Sequence, residues 1–237
     1  MACGWVGAWL LSDGPLVLSR CYGLRNIMIS CRKLQKLALA NCANLSSISK
    51  LNGSDSFSFR YSGPIDMIPI LNSENNKFHG RFDLCSTVIH QSAGWFLRLR
   101  HKLSSFNCKK SLYVTLNPHQ DKICFDLKEI GEIPLPSPLE LEDLTLMRLE
   151  KSSLDYSALL DGFLWCCHPK KISVQSQFES IGKHIELLLE ELMAKEIQSS
   201  CCSSSDIKCW RHYLEDITLE SKKGSKNFSY RLTWRST

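Results

Sequence analysis

Apolar side chains recur in a fixed frame near the start of the chain. The anchors of this frame are Leu34, Leu37, Leu39, Cys42, Leu45 and Ile48. Because strand side chains alternate between two faces, the spacing predicts a short strand whose Leu37 and Leu39 enter one core. Cys42 follows that strand, at a place where the chain turns inward and a small buried side chain fits.

The segments on either side show the same alternation. Ile27 and Ile29 precede the frame, and Phe57 and Phe59 follow it. Equivalent anchors are separated by nineteen or twenty residues. The pattern predicts a unit of about twenty residues that carries two short strands and stacks on its neighbours to bury one continuous core.

A second match to the frame lies farther along the chain, at Leu141, Leu144 and Leu146. Between the two matches the pattern is degenerate, although residues 111–116 and 122–127 alternate as strands do. The frame matches the leucine-rich repeat L-x-x-L-x-L-x-x-N/C-x-L at its anchors, which favours a stack of repeats.

The last third of the chain is more helical. Its apolar positions predict, in order, a helix that follows the N-cap Ser152 and is ended by His168-Pro169, a strand over Lys171–Gln175, an amphipathic helix over 178–193 and a strand within Trp210–Glu220. A basic tail follows from Ser221 and is expected to fray at its end. This order of strands and helices predicts right-handed crossovers and a parallel sheet, which would close one end of the repeat stack.

The predicted fold is therefore α/β: an irregular leucine-rich-repeat solenoid with parallel strands and a helical C-terminal cap. The predicted organisation is an atypical N-terminal segment over 1–20, a leucine-rich-repeat region over 21–150, an α/β C-terminal cap over 151–220 and a basic tail over 221–237.

Several segments resemble plant F-box/leucine-rich-repeat proteins. Leu154–Lys170 is similar to the closing segment of that family, and Cys201-Cys202 with Ile207–Asp216 resembles its last strand region. The repeat at Leu34–Ile48, followed by Phe57–Gly63, resembles the middle of the same family. Taken together, these segments extend the resemblance over most of the chain.

The resemblance implies the substrate receptor of a cullin-type ubiquitin ligase, in which an F-box docks a Skp-type adaptor and the repeats present a surface to a protein substrate. Residues 1–20 contain no F-box, and residues 50–56 replace the family's apolar-proline turn. We therefore expect a protein–protein recognition module that binds a protein substrate. A Skp-type adaptor and cullin would join only if an F-box were supplied elsewhere.

The surface opposite the core anchors is the expected place of contact with a protein partner. Strand alternation assigns to it Lys36, Ala38, Ala40, Ser58, Arg60, Asp143, Thr145 and Met147. An alternative is that the chain is a truncated receptor fragment with no independent function.

The formal charge of +5 is unevenly distributed, with 16 basic against 9 acidic residues in 1–137 and 13 against 15 in 138–237. The basic residues are dispersed rather than gathered into a stripe with aromatics, which argues against a nucleic-acid partner. The longest uncharged run near the start, Met1 to Ser12, is too short to span a bilayer, so no membrane partner is expected. Twelve scattered cysteines indicate reduced thiols and a location in the nucleus or cytoplasm.

Sequence motifs of catalysis are missing. There is no G-x-G-x-x-G, no G-x-x-x-x-G-K-[ST], no H-E-x-x-H and no G-x-S-x-G, so neither an enzyme nor a cofactor is predicted. Cys167-His168 could suggest a nucleophile and base, but adjacent helical residues point about 100° apart. A second alternative is a small zinc-binding module through Cys201, Cys202, Cys209 and His212, although adjacent cysteines are unusual zinc ligands.

Overall fold

The structure is a computed structural model, and it describes residues 5–8, 15–29, 31, 33–49, 53–72, 78–85, 90–91, 93–115, 122–123, 125–126, 136–147, 155–176, 187–194, 210–223 and 226–233. These residues form an α/β protein with mostly parallel strands in open sheets. The chain divides into two compact units: unit 1 holds 1–85 and 102–112, and unit 2 holds 86–101 and 113–237. The domain boundaries drawn from the sequence stay predictions.

Successive strands of unit 1 alternate between two parallel sheets. One sheet has the order β1 (Trp5–Ala8), β3 (Asn26–Ile29), β5 (Ser47–Ser49) and β7 (Ile70–Asn72). The other has the order β2 (Pro15–Ser19), β4 (Leu34–Ala40), β6 (Gly53–Gly63) and β8 (His79–Cys85). A 3-10 helix, Ile65–Met67, precedes β7. Each pass through the unit thus contributes one strand to each sheet.

The register of these strands corrects the predicted repeat length. Leu16 lies opposite Leu37, 21 residues on, and Leu37 lies opposite Phe59, 22 residues on, rather than near Phe57. The cause is an irregularity between β4 and β6, where Leu34 pairs with Gly53 but Lys36 pairs with Ser58. The extra residues of β6 occupy this bulge, which is how a parallel ladder accommodates a local insertion.

The apolar frame identified in the sequence forms the core of unit 1. Its six anchors are buried: Leu34, Leu37, Leu39, Cys42, Leu45 and Ile48. The aromatic rings of Phe59, Phe82 and Phe106 meet beside them, with centroids 5.0 to 5.9 Å apart. The prediction that this frame builds a core is confirmed.

Two equivalent turns follow β2 and β4. Arg20 and Asn41 have φ angles of 54° and 53°, a left-handed conformation that is uncommon outside glycine. The backbone N–H of Arg20 donates to the carbonyl of Ala40 (2.8 Å), and that of Asn41 donates to the carbonyl of Ser62 (2.9 Å). The neighbouring strands β2 and β4 are therefore followed by the same local backbone conformation.

Cys42 follows the second of these turns and is buried, as its place in the frame predicts. Its thiol lies 3.6 Å from the carbonyl oxygens of Leu18 and Ala40, to which it donates. Because Leu18 belongs to β2, the side chain of Cys42 links the turn after β4 to the neighbouring strand of the same sheet.

Unit 2 contains a second set of parallel strands. The order β13 (Asp143–Met147), β15 (Lys171–Ser176), β16 (Asp216–Lys223) is parallel, and β17 (Lys226–Thr233) is antiparallel to β16. Two short parallel pairs join β9 (His90–Gln91) to β11 (Lys122–Ile123) and β12 (Leu139–Leu141) to β14 (Cys167–Pro169). α1 (Ala93–Ser104) and β10 (Lys109–Thr115) each contribute residues to both units.

The first predicted helix of the last third is α2, Tyr156–Cys166. Its N-cap is Asp155, whose Oδ1 accepts from the N–H of Ala158 (2.9 Å), while the predicted N-cap Ser152 lies outside the described residues. The helix ends at Cys166 with Cys167 as its C-cap, directly before the predicted terminator His168-Pro169, and Cys167–Pro169 then pairs with β12 as a strand.

Among the other elements predicted for the last third, the strand at Lys171–Gln175 is confirmed as β15. Of the helix predicted over 178–193, residues 187–194 are described and are helical. The segment Trp210–Glu220 starts with the 3-10 helix Trp210–His212 and becomes strand only at Asp216. Within the predicted basic tail, Lys226–Thr233 pairs along β16, and the end of the tail, which is expected to fray, lies outside the described residues. Within the described residues, no helix is both long and apolar enough to cross a bilayer.

Candidate functional site

The outer face of the unit 1 sheet is the surface that the β2, β4, β6 and β8 side chains present opposite the core. By strand alternation and register, this outer face consists of Pro15, Val17, Ser19, Lys36, Ala38, Ala40, Ser58, Arg60, Ser62, His79, Arg81 and Asp83. None of these positions carries a large aromatic residue. The side chains of this face are therefore small, polar or charged, whereas those of the core face of the same strands are apolar.

Two arginines and one aspartate form an ion cluster on this face. Arg60 and Arg81 are direct neighbours in the register of β6 and β8. The Nε of Arg60 donates to Asp83 Oδ2 (2.6 Å), and the Nε of Arg81 donates to Asp83 Oδ1 (2.9 Å). The Asp83 side chain is 11% exposed, against 46% for Arg60 and 37% for Arg81. One largely buried carboxylate thus holds two partly exposed guanidinium groups side by side.

A second row of polar side chains runs beside the ion cluster. Lys36 of β4 pairs with Ser58 of β6, which in turn pairs with His79 of β8. His79 Nε2 lies 3.1 Å from the hydroxyl of Ser111 in β10. Lys36 is exposed, so it adds an accessible positive charge one strand away from Arg60.

The structure brings five of the predicted contact residues together. Lys36, Ala38, Ala40, Ser58 and Arg60 all lie on the outer face, where Lys36 is opposite Ser58 and Ala38 is opposite Arg60. Lys36 and Arg60 are exposed and the other three are half-buried.

The other three predicted contact residues lie in unit 2, on β13. Asp143 and Met147 are half-buried, but Thr145 is only 1% exposed and donates to Asp143 Oδ2 (3.0 Å). The prediction that Thr145 contacts a partner is wrong, because this side chain is buried. It lies in register with Ser173, which is also buried, because both faces of these parallel strands are covered.

Sequence reasoning missed Arg81, Asp83 and His79. The signal was present, because His79–Cys85 alternates polar and apolar residues as β4 and β6 do. That stretch was assigned to the degenerate part of the pattern, since it lacks the leucines of the frame. Phe82 and Leu84 take the core positions there instead.

Unit 2 contains a buried polar cluster of a different kind. The guanidinium of Arg100 lies 4.9 Å from the ring centroid of Trp165, and its Nη1 donates to the Trp165 carbonyl (3.3 Å). Its Nε is buried and has no hydrogen-bond partner among the described residues, and burial lowers the pKa of Arg100. Burial, with the nearby charge of Arg100, also lowers the pKa of His168 to about 4. The His168 ring lies 4.6 Å from that of Tyr213.

Cys167 and His168 do not have the properties of a nucleophile and its base. The Cys167 thiol donates to the Phe163 carbonyl (2.9 Å), and burial raises its pKa well above the usual value. Because the thiolate is the reactive form of cysteine, this environment keeps the group inert. His168 is neutral at pH 7 and is also buried.

The zinc alternative falls mainly outside the described residues, because Cys201, Cys202 and Cys209 belong to the part that is not described. His212 is described and exposed. Across the described ranges, no group of three or more His, Cys, Asp or Glu side chains is arranged to hold a metal ion.

Comparison with protein-family models, with curated proteins and with solved structures found no match for this chain.

Proposed function

We propose that this chain is a protein–protein recognition module of the leucine-rich-repeat type, similar to the substrate-binding part of an F-box/leucine-rich-repeat ubiquitin-ligase subunit. Two features of unit 1 support a repeat architecture. Successive strands alternate between two parallel sheets, and the left-handed turns at Arg20 and Asn41 recur at the strand register. The link from the Cys42 thiol to Leu18 of the preceding strand agrees with the N/C position of the repeat frame. The proposed fold is an irregular solenoid with a helical C-terminal cap over 151–220.

The observation that carries the functional proposal is the outer face of the unit 1 sheet. Its side chains come from four successive strands, and Lys36 and Arg60 are exposed there while the opposite face of the same strands is a buried core. Repeat proteins use such continuous strand surfaces to bind partners. We therefore assign the binding surface to Lys36, Ala38, Ser58 and Arg60.

The proposal makes the chain a binding protein rather than an enzyme. Its partner is a protein substrate, and a Skp-type adaptor and cullin join only if an F-box is supplied elsewhere. Action in the nucleus or cytoplasm fits the free thiols of Cys21, Cys31, Cys42, Cys108, Cys166 and Cys167.

The test is affinity purification of the tagged chain from plant cell extract, with mass spectrometry of the proteins that it retains. The informative variant is Ala38→Trp, which places a large, uncharged side chain at the centre of the outer face without entering the core. The matched control is Arg25→Gln, an exposed position before β3 in the other sheet.

We expect at least one protein that the unmodified chain and Arg25→Gln retain and that Ala38→Trp loses by tenfold or more. If every retained protein binds the three chains equally, the outer face is not the binding surface and the proposal fails. Skp-type adaptor and cullin among the proteins lost would indicate recruitment to a ligase.

A further inference from the structure

We propose that the outer face of the unit 1 sheet binds an extended, acidic segment of a partner protein, with carboxylates at every second position. The inference rests on the proposed recognition function and adds the chemistry of the partner. It is carried by the arrangement of Arg60, Arg81, Asp83 and Lys36.

The first step concerns the charge of the face. Of its positions on β2, β4, β6 and β8, Lys36, Arg60 and Arg81 are cationic, while Asp83 is the acidic one. Both carboxylate oxygens of Asp83 are already engaged by the two arginines. Lys36 and Arg60 alone outnumber the single carboxylate of Asp83, so this part of the face is positive and complements an acidic partner.

The second step concerns the donors that remain. Arg60 donates to Asp83 through Nε alone and forms no other hydrogen bond within the described part of the chain. A guanidinium has five N–H donors in a planar fork, so the terminal amino groups of Arg60 stay available. This fork matches a carboxylate in a bidentate arrangement. The hydrogen bond from Arg60 Nε to Asp83 fixes the orientation of the Arg60 guanidinium before a partner binds.

The third step concerns spacing. Lys36 and Arg60 lie on adjacent parallel strands, two positions apart in register, because Lys36 pairs with Ser58. Neighbouring strands are about 4.8 Å apart and two residues advance about 6.6 Å, which puts the two backbone positions roughly 8 Å apart. In an extended peptide, side chains on one side recur every two residues, at about 6.6 Å. Acidic residues at alternate positions therefore reach both cations.

The fourth step concerns the neighbours of these cations. Ala38 lies directly beside Arg60 in the register, and Ser58 lies beside Lys36. Small side chains at these two positions leave room for a peptide backbone to approach the sheet. None of the named outer-face positions is Phe, Tyr or Trp, which disfavours stacking of nucleic-acid bases, so an acidic protein segment is the better partner.

The experiment measures the binding of two fluorescein-labelled dodecapeptides to the full chain by fluorescence anisotropy. One peptide alternates Glu and Ser, and the other has the same composition with all six Glu in one block. The variants are Lys36→Gln/Arg60→Gln and the control Arg25→Gln. Gln replaces the charge without placing a second carboxylate beside Asp83.

We expect the alternating peptide to bind more tightly than the block peptide, and its affinity to fall from 50 to 500 mM NaCl. The double variant should weaken binding of the alternating peptide tenfold or more, and Arg25→Gln by less than twofold. Equal loss in Arg25→Gln, equal affinity for the two peptides, or no binding at millimolar peptide would overturn the inference.

The result separates this inference from the recognition function. A partner that is lost by Ala38→Trp but kept by Lys36→Gln/Arg60→Gln would support protein recognition by this face and would contradict the proposed acidic segment. Loss of the same partner by both variants, with competition from the alternating peptide, would support both proposals.

Discussion

At the scale of single residues, the imidazole of His168 is the group whose environment changes its chemistry most clearly. It is 6% exposed, lies beside the ring of Tyr213 and has the buried guanidinium of Arg100 nearby. Desolvation is the main cause of its lowered pKa, and the charge of Arg100 adds to it. Both effects disfavour the protonated ring in the folded state.

The stability of the protein should therefore fall as pH falls from about 6.5 to 4. In this window the unfolded chain takes up a proton on His168, while the folded chain, with a pKa of about 4, does not. His168→Phe keeps a ring beside Tyr213 and removes this proton uptake. Urea unfolding at pH 7 and pH 4.5 should show a loss of stability, up to about 3 kcal/mol, that the variant lacks.

A second variant tests the role of the neighbouring cation. Arg100→Met keeps an apolar stem against Trp165 and removes the positive charge. The pKa of His168, followed by NMR, should then rise towards its ordinary value. An identical pH dependence of stability in the unmodified chain and in His168→Phe would contradict the assignment.

At the scale of elements, the contact in unit 2 between α2 and the part of α1 that belongs to this unit depends on one glycine. The rings of Phe96 and Phe163 lie 5.2 Å apart, and Trp95 packs on Phe163 at 6.1 Å. Gly162 faces the Phe96 ring, and a Cβ at this position would lie well inside van der Waals distance of three ring atoms. The helices approach each other closely because residue 162 has no side chain.

Gly162→Ala should therefore destabilise the protein, although alanine favours a helix over glycine by about 1 kcal/mol. Forcing a methyl group into a filled core costs about 1 to 3 kcal/mol, and the rigid ring of Phe96 cannot yield easily. Thermal unfolding measures the difference. Gly23→Ala is the control, since a Cβ there meets nothing within 4 Å. Partial recovery is expected on adding Phe96→Leu, and a rise in Tm for Gly162→Ala alone would refute the packing argument.

At the scale of the whole molecule, binding and folding should be separable, because the outer face and the core belong to opposite sides of the same strands. Lys36→Gln/Arg60→Gln removes two exposed charges and one ion pair, while Arg81 still pairs with the largely buried Asp83. The cost should therefore stay near the upper end of the range for exposed pairs, about 1 kcal/mol. Leu39→Ala truncates a side chain that is only 1% exposed. Truncating a buried leucine to alanine lowers the free energy of unfolding by about 2 to 5 kcal/mol.

We therefore expect urea unfolding to give a small change for the double variant and a large loss for Leu39→Ala. Charge reversal at these positions is less informative, because a glutamate at position 60 would face Asp83 and add a repulsion of its own. Equal destabilisation by the double variant and by Leu39→Ala would show that the outer face is part of the core.

The sequence by itself determined the local features of this protein. The alternation of apolar residues placed Leu34, Leu37, Leu39 and Ile48 in the core, because the side chains of a strand necessarily point to opposite faces. The same alternation placed Lys36 and Arg60 on the exposed side.

Only the tertiary structure decided the features that depend on contacts between distant residues. The bulge of β6 set which residues lie opposite one another, and the register of β8 brought Arg81 and Asp83 to Arg60. Burial of both faces of β13 removed Thr145 from the surface. The pairing of β17 with β16 depends on backbone hydrogen bonds, which the composition of a basic tail does not encode.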